Sequence, residues 1–243
     1  MYGWRGRLGI IVPSVNYVME PEFNSVLPDG ISCHASRVFV GGEKYGLSSL
    51  VDMADNTGRA TEELNTVADV VGYGCTSGSF AKGAGWDKEI IKRMNEKAPG
   101  IPATTTSTAL INALLTLEVK KISLATPYTE EVTMQMKDFF HDQGFEVVDF
   151  RFLSVSKHGG QGDYYPPKAY TLAKDVFNAS NKIADAVVIS CTNFRTFEII
   201  EPLEKDLGVP VITSNQATLW EMLKMIDINR NEIDGLGKLM SEY

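Results

Sequence analysis

The sequence runs to 243 residues, 44% hydrophobic, 9% aromatic and 22% charged, a composition that fits one large α/β domain or two small ones around a well-filled core. Its 31 acidic and 23 basic residues leave a net charge of −8. The densest basic cluster, Lys82 to Lys97, alternates with acids, so neither nucleic acid nor an anionic membrane surface is an expected partner. No apolar run approaches the length of a membrane span, and Met1 to Arg7 leads straight into a strand, so no signal peptide is expected.

Leu8 to Pro13 reads as a short buried strand stopped by proline. A short helix or turn over Glu20 to Val26 follows, then a second strand over Ile31 to Val40 closed by Gly41 and Gly42. Leu47 to Thr66 has helical spacing, with an apolar stripe through Leu47, Leu50, Val51, Ala54, Ala60 and Leu64. Val67 to Tyr73 is apolar enough for a strand buried on both faces. A helix over Trp86 to Ala98, a short strand over Pro102 to Thr106 and a helix over Ser107 to Leu117 come next. Lys121 to Ala125 opens a new strand, followed by a helix over Glu130 to Gln143 with Gly144 as its cap, and a strand over Glu146 to Leu153. The remainder reads as a helix over Pro167 to Ala184, a strand over Ala186 to Ser190, a helix over Phe197 to Leu207, a strand over Pro210 to Thr213, and a last helix from near Gln216. Strands alternating with helices of this length predict parallel sheets with right-handed crossovers.

The chain also repeats itself. Val67-Ala-Asp-Val-Val-Gly-Tyr-Gly-Cys75-Thr76 echoes Ile183-Ala-Asp-Ala-Val-Val-Ile-Ser-Cys191-Thr192, with the two cysteines 116 residues apart. Pro102, Thr105 and Ala109 echo Pro210, Thr213 and Ala217, and the strand ending Val12-Pro13-Ser14 echoes the one ending Thr126-Pro127-Tyr128. Three echoes in one order predict two similar Rossmann-like units, residues 1–115 and 116–243, related by a pseudo-two-fold axis, with the closing helix free to pack back on the first. Ligands of open α/β sheets bind beyond the carboxyl ends of the strands, where both cysteines lie, so Cys75 and Cys191 are expected on opposite walls of one cleft.

Three cysteines without close pairing argue against a disulfide framework and for a reducing cytoplasm. There is no Cys-x-x-Cys, and His34, His141 and His158 sit far from the cysteines, so no metal site is expected. Cys33 reads as a small core hydrophobe. Cys75 and Cys191 differ from it: each ends a strand, occupies the same repeat position, and precedes Thr and a small polar loop that leads to a helix. Free N–H groups at a helix start favour anions and can lower a thiol's pKa. One thiolate can add to carbon or remove a proton while the opposing thiol supplies one. Thr76, Ser77, Thr192 and Asn193 either satisfy loop backbone groups or hold a carboxylate, and the second reading is preferred. Gly159-Gly160-x-Gly162 is too loosely spaced for a nucleotide fingerprint and reads as a mobile lid, from which Tyr164 and Tyr165 could close over substrate.

At these residues the chain resembles the aspartate/glutamate racemase superfamily, and within it the branch of maleate cis-trans isomerases and arylmalonate decarboxylases. Gly72-Tyr-Gly-Cys75-Thr-Ser-Gly-Ser79 is similar to the first-cysteine loop of maleate isomerases, and Ser190-Cys191-Thr192 to the second. Pro13-Ser-Val-Asn16-Tyr-Val-Met-Glu20 resembles that branch's first loop, and Ala125-Thr-Pro-Tyr128 the segment with its substrate-contacting tyrosine. The resemblance implies that Asn16, otherwise a cap for the following turn, and Tyr128 contact a substrate carboxylate. It implies a cofactor-independent homodimeric enzyme acting on a small carboxylate, with Cys75 as nucleophile and Cys191 as proton carrier. Arylmalonate decarboxylases keep only the second cysteine, so the pair favours cis-trans isomerisation of a small unsaturated diacid of the maleate type. Racemisation next to a carboxylate, decarboxylation through Cys191 alone and non-catalytic ligand binding are the alternatives. Thr192-Asn-Phe-Arg195-Thr196 and the segment Lys157 to Pro167 depart from the isomerase pattern, and Arg195 either clamps a second carboxylate or stands exposed early in a helix.

Overall fold

The computed structural model describes residues 2–41 and 46–243, together with all side chains in those ranges except that of Asn231; Met1 and Gly42, named above, lie outside the described residues. The first half of the chain forms β1 (Gly6–Pro13), α1 (Met19–Val26), β2 (Ile31–Val38), α2 (Leu47–Ala54), α3 (Thr57–Leu64), β3 (Val70–Tyr73), α4 (Thr76–Phe80), α5 (Trp86–Lys97), β4 (Ala103–Thr105) and α6 (Thr106–Thr116). The second forms β5 (Lys121–Thr126), α7 (Glu130–Asp142), β6 (Glu146–Phe152), α8 (Pro166–Ala179), β7 (Ala186–Ile189), α9 (Ile200–Leu207), β8 (Val211–Thr213), α10 (Ser214–Met225) and α11 (Gly237–Glu242).

The strands make two sheets of four, ordered β2-β1-β3-β4 and β6-β5-β7-β8, and every pairing is parallel. The two orders are the same once β1 is matched to β5, which is the repeat read from the sequence carried into space. β3 and β7 are buried at every residue, as their unbroken apolar runs require, while the edge strands β2 and β6 are partly exposed. A side chain on the core-facing strand β3 would collide with α10: a Cβ on Gly72 would lie 2.6 Å from Met222 Sδ. α10 thus belongs to the second half by sequence and packs on the sheet of the first.

α6 and α10 follow equivalent strands and pack against each other. Thr105 and Thr213 cap them alike, each accepting the backbone N–H three residues on. Polar pairs cross the contact: Thr218 Oγ1 donates to Thr106 Oγ1 at 3.0 Å and Asn112 Nδ2 to Glu221 Oε1 at 2.7 Å.

Several boundaries differ from the sequence reading. Leu47 to Thr66 is two helices, because Asn56 leaves helical geometry at φ −92°, ψ 3° and its side chain turns back to the Asp52 carbonyl. The residues after Cys75 are the helix α4 rather than a loop. The helix expected to reach Ala184 stops at Ala179, where Ser180 hydroxyl bonds to the Phe177 carbonyl, and Asn181 and Lys182 adopt positive φ.

Met222→Ala should lower unfolding free energy by about 2–4 kcal/mol, because it empties a fully buried contact between α10 and β3. Urea denaturation followed by fluorescence and circular dichroism checks this. A loss below about 1 kcal/mol would contradict the tight packing of the two halves through α10.

Candidate active site

The carboxyl ends of β1, β3, β5 and β7 meet at one small cavity. Cys75 and Cys191 both line it, and so do Asn16, Thr76, Ser77, Tyr128, Thr192 and Asn193. All eight candidates from the sequence are therefore brought together. An apolar wall of Pro13, Val15, Val40, Leu50 and Met53 completes one side, and Gly159 and Gln161 cover the top. Among the described residues no Lys, Arg or His lines the cavity.

Cys75 is the N-cap of α4, in extended geometry, and its Sγ accepts the Gly78 N–H at 3.4 Å. The Ser77 hydroxyl stands 3.9 Å from the same sulfur. Burial pushes the Cys75 thiol up, and the Gly78 N–H, the Ser77 hydroxyl and the Tyr73 hydroxyl work against that rise by favouring the thiolate. Cys191 has φ +119°, a conformation a side chain rarely adopts. Burial pushes its thiol up to about 12; the Asn193 N–H and the Tyr128 hydroxyl oppose this, and the nearby Cys75 adds to it. The two thiols are thus close enough to feel each other's charge.

A network of hydrogen bonds holds the strained cysteine. Ser214 Oγ, at the start of α10, accepts the Cys191 N–H at 2.9 Å and pairs with Thr76 Oγ1 at 2.9 Å, so one hydroxyl joins the two cysteine loops. Thr192 Oγ1 donates to the Gly74 carbonyl at 2.9 Å and accepts from Asn16 Nδ2 at 3.0 Å. Asn16 also caps α1, its Oδ1 accepting the N–H groups of Val18 and Met19. Capping and a place in the cavity therefore coexist in one side chain. Asn193 accepts the Tyr17 N–H and donates to the Gly159 carbonyl, tying the covering segment to the floor. Tyr128 pairs with Ser190 Oγ at 3.1 Å, beside the second cysteine.

The sequence reading missed Glu22. This carboxylate on α1 is buried and accepts three donors from the second half: the N–H groups of Thr196 and Phe197 at 2.6 and 3.1 Å, and Asn215 Nδ2 at 2.5 Å. Asn215 also donates to the Thr192 carbonyl. Glu22 so brackets the loop after Cys191 from both ends. Only its place two residues after Glu20 in a short amphipathic helix was visible, which marks a surface acid as readily as a buried one. Gln161, 4% exposed and lining the cavity, was missed too; the lid reading chose the tyrosines instead. Tyr164 packs edge-on against Phe194 and Tyr165 is 76% exposed, so neither lines the cavity. The segment is latched by Tyr17, whose hydroxyl donates to Asp163 at 2.7 Å. Arg195 stands outside the cavity, paired with Glu198.

The arylmalonate decarboxylase family model matches residues 8–240. A maleate isomerase of Pseudomonas putida is 29% identical over 97% of this chain and 97% of its own. The arylmalonate decarboxylase of Bordetella bronchiseptica is 26% identical over 95% of this chain and 97% of its own. Among solved structures, a maleate isomerase from Pseudomonas putida with maleate superposes with a TM-score of 0.88 at 27% identity, covering 97% of both chains.

Burial raises the Glu22 carboxyl from 4.5 to about 7 against the pull of its three donors. A carboxyl raised on folding adds stability that is complete below its unfolded pKa and lost as pH rises through the folded one. The wild type should therefore lose up to about 3 kcal/mol relative to Glu22→Gln between pH 4.5 and pH 7. Urea midpoints of the two proteins at pH 4.5, 6 and 7.5 measure the difference; parallel pH curves would refute it.

Proposed function

The chain belongs to the arylmalonate decarboxylase family, and on that premise we propose that it is a cis-trans isomerase of a small unsaturated dicarboxylate, of the maleate type, working through two cysteines. The observation that carries this is the pair of thiols in one cavity, at equivalent strand ends and within electrostatic reach of each other. The maleate isomerases among its relatives support the same reaction.

The chemistry follows from the groups present. The Cys75 thiolate adds to an alkene carbon next to one carboxylate, and the π electrons move onto the other carboxylate as an enediolate. Cys191 gives its proton to the adjacent carbon, leaving a succinyl thioether in which the former double bond is single and turns freely. The Cys191 thiolate takes the proton back, the enediolate re-forms the double bond, and the carbon–sulfur bond breaks to release the trans acid and the Cys75 thiolate. Atoms and charge balance without a cofactor. Thr76, Ser77, Tyr128, Thr192, Asn193 and Asn16 offer hydroxyls and N–H groups to the carboxylates and the enediolate in place of a cation. Binding at such a site rests on dipoles that are fixed before substrate arrives, which suits charge that shifts between carboxylates during the reaction.

The apolar wall of Val40, Leu50 and Met53 favours a second reading, in which the substrate carries an apolar substituent and is racemised or decarboxylated through Cys191. The wider reading is a cytoplasmic homodimer built of units 1–115 and 116–243; light scattering after size-exclusion chromatography should give twice the 26.7 kDa chain mass.

Proton NMR of the protein with maleate in deuterated buffer should show fumarate forming, faster as pH rises above neutrality because burial holds both thiols protonated. Cys75→Ala should lose activity on the order of 10³-fold or more. Untouched maleate, with turnover of a racemase or arylmalonate substrate in parallel tubes, would replace this reading with the second.

A further inference from the structure

The two cysteine strands are similar but not identical in sequence, and one difference lies behind the sulfur. Where the second half has Ile189, two residues before Cys191 and fully buried, the first half has Tyr73, two residues before Cys75 and equally buried. An aromatic hydroxyl in a core position that an isoleucine fills elsewhere is costly unless it is bonded to something. Tyr73 does not line the cavity, so substrate does not meet it. Its hydroxyl instead lies on the same side of Gly78 as the Cys75 sulfur, close enough to favour the thiolate. Gly78 makes the approach possible: a Cβ there would lie 2.5 Å from the Tyr73 hydroxyl and 3.0 Å from Cys75 Sγ, inside the contact distance of both. The Gly78 N–H points at the same sulfur.

We propose that Tyr73 is a positioning residue for the Cys75 thiolate, donating its hydroxyl proton to Sγ from behind, in a slot that the bare Cα of Gly78 keeps open. The thiolate so formed has two donors behind it, the Tyr73 hydroxyl and the Gly78 N–H, with the Ser77 hydroxyl beside it at the cavity wall. Tyr73 retains its proton throughout; it neither touches substrate nor transfers a proton to it. Without it, the buried sulfur would depend on the Gly78 N–H at 3.4 Å and the Ser77 hydroxyl at 3.9 Å, in a cavity that no cation lines among the described residues.

The proposal rests on the reading of Cys75 as the nucleophile, yet thiol ionisation can be measured with no substrate present, so the two can fail separately. Tyr73→Phe removes one oxygen and keeps the ring. The rate of alkylation of each cysteine by iodoacetamide, read by peptide mass spectrometry across pH 7 to 10, tests it. Cys75 alkylation should slow about 10-fold at a given pH in Tyr73→Phe, the rate equivalent of one pKa unit, while Cys191 alkylation and thermal stability stay near wild type. Gly78→Ala, whose methyl must displace the hydroxyl or the sulfur, should slow Cys75 in the same selective way. Unchanged Cys75 reactivity in both variants, or equal slowing of Cys75 and Cys191, would overturn the proposal. If the selective slowing is seen and maleate is not turned over, the thiolate cradle stands and only the substrate reading falls.

Discussion

Two thiols share a buried cavity that no cation lines among the described residues, and the rest of the site is arranged around that electrostatic fact. A thiolate formed there loses most of its hydration, and an anionic substrate adds further negative charge. The chain answers with neutral dipoles: backbone N–H groups at the ends of strands, hydroxyls of Thr76, Ser77 and Tyr128, and the amides of Asn16 and Asn193. Such groups carry no net charge, so they stabilise an anion without locking one protonation state in place. A lysine or arginine would bind a dicarboxylate more tightly but would hold ground state and intermediate alike, and uniform binding does not speed a reaction.

Dipoles work only if they are rigid, and rigidity here comes from joining the two halves at the site itself. The Ser214 hydroxyl touches both cysteine loops, Thr192 ties its loop to Gly74 and Asn16, and Glu22 reaches across to Thr196, Phe197 and Asn215. Cys191 at φ +119° is the strained member, and strain of this kind, about 1–3 kcal/mol, persists only where neighbours over-determine the backbone. Five of the seven hydrogen bonds just named end on residues 191 to 197. The buried carboxylate of Glu22 is the costly element of the brace, since burial raises it to about 7 even against its three donors. It is also the group with enough acceptor capacity to hold three donors at once.

The sequence was most legible where chemistry and periodicity coincide. Parallel β-strands buried on both faces need unbroken apolar runs, and those runs end just before Cys75 and Cys191, so the repeat alone puts both thiols at strand ends. The eight candidates came together because the short loops and the helix start that follow strand ends have little freedom to point elsewhere. What stayed hidden depends on contacts between distant segments. Nothing local distinguishes Glu22 from its partly exposed neighbour Glu20, because its burial is created by residues 196, 197 and 215 arriving from the other half. Gln161 was hidden for the same reason: the covering segment was visible as glycine-rich, but which of its side chains faces inward is set by Tyr17 and Asn193 gripping it from below. Arg195, whose charge made it attractive, pairs locally with Glu198 instead.

The repeat supplies symmetry, but the chemistry proposed for the site needs the opposite. Two thiols in identical surroundings would share a proton equally, and neither would be reserved as nucleophile or as acid. The chain breaks that equivalence with tyrosines rather than with charges. Tyr128 follows β5 at the position where the first half has Ser14 after β1, and its hydroxyl serves Cys191 from the cavity side. Tyr73 ends β3 at the position where the second half has Ile189, and its hydroxyl serves Cys75 from the core side. On the reading proposed above, the Cys75 sulfur is supported from the core side and the Cys191 sulfur from the cavity side. A donor behind a thiolate leaves its attacking lone pair free, whereas a donor in front competes with attack and suits a group that only passes a proton. The placement of two hydroxyls beside sulfurs at equivalent strand ends is thus how the proposed chemistry would tell nucleophile from proton carrier in a cavity that no Lys, Arg or His lines among the described residues.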